Sequence, residues 1–191
     1  MLLRPLWVGY QFGRLDENLV IDTTSTNTAI GTLNVRDSFV TQNEFHGGHF
    51  GLEGEYRWGC WGLELLARFG FGNMQQKAIL SGATSNSSQN SGLLVQEETN
   101  AGTHQRDEFS YMQDSGAKLV YYPTERLKLS LCYSLIFFSD VLRPGDQIDT
   151  SVDSRLFPPT TPPAGVVDPA FTFNSNHYYA HGLNFGVECR F

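Results

Sequence analysis

The sequence predicts an all-β protein, an antiparallel up-and-down meander of about six long strands that forms part of a transmembrane β-barrel. Three observations predict it. Apolar residues alternate with small or polar ones over about six segments, the period of a strand with one oily and one wet face. These segments run about nine to twelve residues, longer than the usual ~5–6 and close to the ~9–11 that cross a bilayer when tilted. Their connections alternate between tight turns and long polar stretches, the lopsided pattern of outer-membrane barrels.

The first segment sets Leu6, Val8, Tyr10 and Phe12 against Gly9 and Gln11, and is expected to continue through "LDENLVID" after a disturbance at Gly13. The second sets Phe50, Leu52, Tyr56 and Trp58 against His49, Glu53, Glu55 and Arg57. The third sets Trp61, Leu63, Leu65, Ala67, Phe69 and Phe71 against Glu64, Leu66, Arg68 and glycines. The fourth is weaker, with Ala117, Leu119 and Tyr121 against Asp114, Gly116 and Lys118. In the fifth, Leu127, Leu129, Leu131, Tyr133, Leu135 and Phe137 oppose Lys128, Ser130, Cys132 and Ser134. The sixth closes the chain, with Leu183, Phe185, Val187, Cys189 and Phe191 against Gly182, Asn184, Gly186, Glu188 and Arg190. "RWGCW" and "YPTERL" read as tight turns, and residues 22–37, 82–107 and 143–174 as long polar loops. A loop of that length is unusual in a compact soluble domain.

Composition agrees with this class. The 191 residues suit one domain spanning 1–191. No stretch approaches the ~20 apolar residues of a membrane helix. A mean hydropathy of -0.27 leaves a barrel open, because alternation averages the hydropathy away. The net charge of -7 and pI near 5.1 argue against nucleic acid as a partner. Cys60, Cys132 and Cys189 have no metal or redox spacing, and the last two fall on opposite strand faces, so all three read as free thiols. "MLLRPLWVGY" lacks the apolar core and cleavage site of a secretory signal, so an exported form is expected to carry its signal peptide further upstream.

Alternation does not say which face points outward. A soluble ligand-binding barrel would put the same apolar face inside. Aromatics favour the membrane: Trp58 and Trp61 flank one short turn, Tyr121 and Tyr122 precede the other, and Trp7 and Phe191 fall at the same end, where an interfacial girdle lies. A terminal Phe191 then anchors at the interface. Five acids (Glu53, Glu55, Glu64, Asp114, Glu188) and five bases (Arg57, Arg68, Lys118, Lys128, Arg190) share the polar face. Turned to lipid, each Arg or Lys would cost ~2–4 kcal/mol at the midplane, so these charges are expected to line the lumen. Their balance fits a salt-bridged, plugged interior as well as a weakly selective pore.

No reactive constellation emerges, and no cofactor, metal or catalytic residue is assigned. His46 and His49 are three apart and so fall on opposite faces of a strand. His177 and His181 share a face but stand roughly 13 Å apart. "GFGNMQQ" lacks the Lys-Ser/Thr of a phosphate cradle. An outer-membrane enzyme with a site at the loop rim is the competing reading, with His104, Asp107, Asp140 and Asp146 as its candidates, yet no spacing pairs a nucleophile with a base. "RPGDQID" reads as a turn in which Asp146 and Asp149 accept nearby backbone hydrogen bonds, with a calcium-stabilised loop as the alternative.

Three segments carry a resemblance. "DSFVTQNEFHGGHFGLEGEYRWGCW" (Asp37 to Trp61), "VLRPGDQID" (Val141 to Asp149) and "HGLNFGVECRF" resemble, in this order, the outer-membrane β-barrel porin family of planctomycete bacteria. "GLLVQEETNAGTHQRDEF" matches the family's connecting loop less tightly, and the three cysteines follow no family pattern. The resemblance implies the C-terminal portion of a longer barrel, with further strands upstream. It also implies residence in the outer membrane among its lipids and a porin-like role, either passive passage of small solutes or a structural part at the cell surface. The strand ending in Phe191 is similar to the signal read by the barrel-assembly machinery.

Overall fold

In the computed structural model, which describes residues 2–3, 6–27, 31–85, 90–156, 165 and 167–190, the chain forms one antiparallel sheet. Its strands are β1 (Leu2–Leu3), β2 (Trp7–Asn27), β3 (Gly31–Trp58), β4 (Trp61–Thr84), β5 (Gly102–Thr124), β6 (Leu127–Leu142) and β7 (Ser175–Cys189). From β2 to β7 each strand pairs with the next, and β1 pairs with β3 beyond the end of β2. The sheet curls into a half-barrel. Contacts across the hollow demonstrate the curl: Phe45 of β3 and Phe138 of β6 bring their ring centroids within 6.3 Å. The two short turns are two-residue connections. Gly59 and Cys60 separate Trp58 from Trp61, and Gly59 takes φ 56, which glycine adopts without a Cβ penalty. Glu125 and Arg126 separate Thr124 from Leu127.

The meander is as the sequence predicts, but the strands are longer. β3 has 28 residues and β4 has 24. The expected loop over 22–37 is for the most part a hairpin, with Asp22 opposite Arg36 and the ladder running to Asn27 opposite Gly31. The expected loop over 82–107 shrinks in the same way, because β4 continues to Thr84 and β5 begins at Gly102. The stretch between Leu142 and Ser175 carries no strand among the described residues and holds two short 3-10 turns, Pro144–Gln147 and Ser154–Leu156.

Thr and Ser in these segments masked a real alternation whose oily face is inverted. The β3–β4 register runs unbroken from Val35↔Thr84 to Trp58↔Trp61, so each residue's face is fixed by parity. Near the long connections Leu33, Val35, Phe39 and Phe45 of β3 lie on the concave face and are buried, with Val40 the one apolar residue there on the convex face. Past Gly47–Gly48 the apolar members are Phe50, Leu52, Tyr56 and Trp58, all on the convex face and exposed. One end of the half-barrel is therefore oily inside and polar outside, and the other end is the reverse. Close approach marks the waist between them: a Cβ on Gly47 would lie 2.5 Å from the Phe71 carbonyl oxygen, and one on Gly72 would collide with the His46 carbonyl.

The oily hollow is filled by chain folded in from the long connections. Val95 and Leu142 join Phe39, Ala78 and Leu80 in one buried cluster, with Leu94, Phe171 and Phe173 packed against it. Phe45, Met74, Met112, Phe138 and Val141 form a second cluster at the waist. Asp37, buried on the same face of β3, holds the incoming segment: its Oδ1 accepts the backbone N–H groups of Leu94 (3.1 Å) and Val95 (2.9 Å), and its Oδ2 that of Leu93 (3.2 Å). Burial pushes the Asp37 carboxyl above the usual carboxylate range, against the pull of those three donors. Side-chain amides stand in for missing sheet partners. Asn43 donates to the Leu142 carbonyl (3.0 Å) and accepts from the Leu142 N–H (2.7 Å). Gln147 donates to the Asn174 carbonyl (2.6 Å) and accepts the Asn174 N–H (3.3 Å).

Candidate functional site

Below the plug the concave wall is charged, and its charges are paired by register. Glu64 stands directly opposite Lys118, with Oε2 3.0 Å from Nζ. Arg68 is opposite Asp114 at 3.3 Å, and Lys128 opposite Glu188 at 3.3 Å. The Arg190 guanidinium closes on Glu188 at 3.1 Å, and Arg57 on Glu55 at 2.5 Å. Glu53 lies on the same face of β3. Glu55 also faces Glu64 directly, an unfavourable like-charge pair that Arg57 and Lys118 offset from either side. The half-buried Glu64–Lys118 and Arg68–Asp114 pairs each contribute roughly 0.2–1 kcal/mol relative to small apolar residues. The larger effect of the pairing is to let ten charged side chains line one wall with little net field.

Among the described residues, the convex face at the same level carries no Asp, Glu, Lys or Arg between two rows of aromatic residues. Tyr56, Trp58, Trp61 and Tyr121 form the row at the short turns, with Trp61 and Tyr121 centroids 4.4 Å apart. The row at the waist links five strands: Phe50 contacts Phe71, Phe71 contacts Tyr111, Tyr111 contacts Phe137 and Phe137 contacts His177, at 6.1, 6.5, 5.3 and 5.5 Å. This second row went unread in the sequence, where its members sit inside separate strands. Leu63, Leu65, Phe69, Leu129, Leu131, Leu135, Leu183 and Phe185 all occupy the band between the rows.

Two of the six expected girdle aromatics belong elsewhere. Trp7 pairs opposite Gly51 and lies on the concave face, where the Arg68 guanidinium stacks 4.8 Å from its ring. Tyr122 shares the parity of Lys118, with Arg57 6.0 Å from its ring centroid. Both corrections follow from parity, since a residue next to an outward one points inward. Phe191 lies outside the described residues.

The candidates for other chemistry scatter. His46 is convex, its Nδ1 2.6 Å from the Tyr10 hydroxyl, while His49 is concave against Trp7. His104 stacks on Phe171 inside the plug at 3.7 Å, whereas Asp107 is on the convex face, where it accepts a hydrogen bond from Asn73 (2.9 Å). Those two therefore do not share a site. In the "RPGDQID" segment, Asp149 accepts the N–H groups of Ser151 and Ala170, which hold its carboxyl below the usual range. Asp146 instead takes a side-chain contact from Asn176 at 3.4 Å. Among the described residues no three His, Cys, Asp or Glu side chains gather as a metal site, and all three cysteines are free.

A curled antiparallel meander, uncharged outside and charged inside over one band, has the architecture of a transmembrane β-barrel wall. The chain belongs to the family described as "Putative beta barrel porin-7" (BBP7), whose model matches residues 4–191. The match names a family and not a source organism, and a porin family points away from an enzyme. Among curated proteins and among solved structures, nothing matches the chain.

Proposed function

We propose that the chain forms the wall of an outer-membrane, porin-like barrel, with the short turns at one rim and the plugged collar beyond the opposite membrane surface. One observation carries this reading, the height of the uncharged band. Ten residue steps separate Trp61 from Phe71 on β4 and Tyr121 from Tyr111 on β5. At about 3.3 Å per residue this is roughly 33 Å of strand, and at a tilt near 40° it spans about 25 Å, the height of the apolar belt of such barrels. The charged concave face then lines the lumen, and small solutes pass beneath and around the plug. Because lipid leaves no backbone group satisfied at an open edge, the edges of β2 and β7 pair with further strands in the membrane. Planar-bilayer recording tests the reading. Stepwise conductance is expected, with weak ion selectivity because the wall charges are paired. Absence of both conductance and membrane association would contradict it.

A further inference from the structure

Above the waist row, the convex face of the collar carries a polar grid set by register. Gln42, Lys77 and Gln105 stand side by side on β3, β4 and β5, and Glu44, Gln75 and Asp107 form the next row towards the membrane band. Together they line a groove. Beneath it, opposite Asn73, stands Phe109, 72% exposed although it lies on an interior strand of the sheet. Charge nearly cancels along this groove: Arg14 takes Glu44 at 3.0 Å, and the Asn73 amide holds Asp107. The amides of Gln42, Gln75 and Gln105 and the Lys77 ammonium make no hydrogen bond or ion pair among the described residues.

We propose that this groove binds the uncharged sugar headgroup of a membrane glycolipid, an inference that rests on the membrane reading above. Position selects the occupant. The grid begins two residue steps above Asn73 and four above Phe71 of the aromatic row, roughly 13 Å of strand or about 10 Å along the membrane normal at a tilt near 40°, so the layer against it is the outer headgroup layer that sugars occupy. Chemistry selects its class. Three unengaged amides and one ammonium offer donors and acceptors to vicinal hydroxyls, while the exposed Phe109 ring offers an apolar face to the C–H side of a sugar. An anionic headgroup would meet one unpaired cation, Lys77, beside two carboxylates, which selects against it.

The test uses the full chain reconstituted in phosphatidylcholine nanodiscs with or without digalactosyl diacylglycerol, and a control set containing phosphatidylglycerol. The galactolipid is expected to raise Tm, and phosphatidylglycerol is not. The Gln75→Ala/Gln105→Ala double variant should keep the phosphatidylcholine Tm and lose the galactolipid shift, with affinity down about tenfold, as expected for two lost neutral hydrogen bonds. Phe109→Ala should weaken the same shift. A protein that enters the nanodiscs and shows no galactolipid shift overturns this proposal alone, as does an equal shift in the variants or with phosphatidylglycerol. Failure to enter any nanodisc overturns the membrane reading with it.

Discussion

Asp37, Phe39, Thr41, Asn43 and Phe45 alternate along β3 and are all buried on its concave face. The sequence displayed them as a motif but not their task, because what they grip arrives from residues more than fifty positions away. Asp37→Ala removes three acceptor contacts at once and is expected to cost about 1–3 kcal/mol. It should also expose the 91–101 segment to protease, whereas Asp37→Asn, which keeps one acceptor oxygen, should leave cleavage near the parent rate. The pH dependence has a definite sign. With the Asp37 carboxyl raised above 3.8 when folded, the folded chain holds its proton more tightly than the unfolded one. Stability relative to Asp37→Asn should therefore rise as pH falls through the raised value, and level off below about 3.8. Urea unfolding in detergent across that range measures it; a fall in relative stability would contradict the burial argument.

Strand existence and order were legible because period two with lopsided connections is hard to produce otherwise. Strand length was not. Threonine-rich "DTTSTNTAIGTLNVRD" has the composition of a loop, yet Leu33 and Val35 already keep the alternation that Phe39 and Phe45 continue. The inverted oily face hid it, since a single strand was expected to have one. The inversion takes place at the waist, where β3 and β4 are too close for side chains. Gly72→Ala would press on the His46 carbonyl and Gly47 Cα and is expected to destabilise by about 1–3 kcal/mol, as overpacking does. Gly48→Ala, which meets nothing within 4 Å, should be close to neutral in the same unfolding assay.

At the scale of the whole molecule the alternation in the sequence decides faces: Glu55, Arg57, Glu64, Arg68, Asp114, Lys118, Lys128 and Glu188 share the concave side, while Asp16 and Asp22 of the first expected strand lie on the convex side of the collar. The sequence left open whether the hollow was plugged, because the plug comes from tertiary packing of segments with no period of their own. The central claim is that the band between the aromatic rows meets lipid on its convex face and water on its concave face. Leu65 lies near the middle of that band, and Leu65→Arg there is expected to cost about 2–4 kcal/mol. The most direct measurement places single cysteines at Leu65 and Arg68 in a background lacking Cys60, Cys132 and Cys189. In bilayers a water-soluble thiol reagent should modify position 68 and spare 65, while a lipid-soluble reagent should modify 65. Labelling of 65 from water with 68 protected would contradict the account.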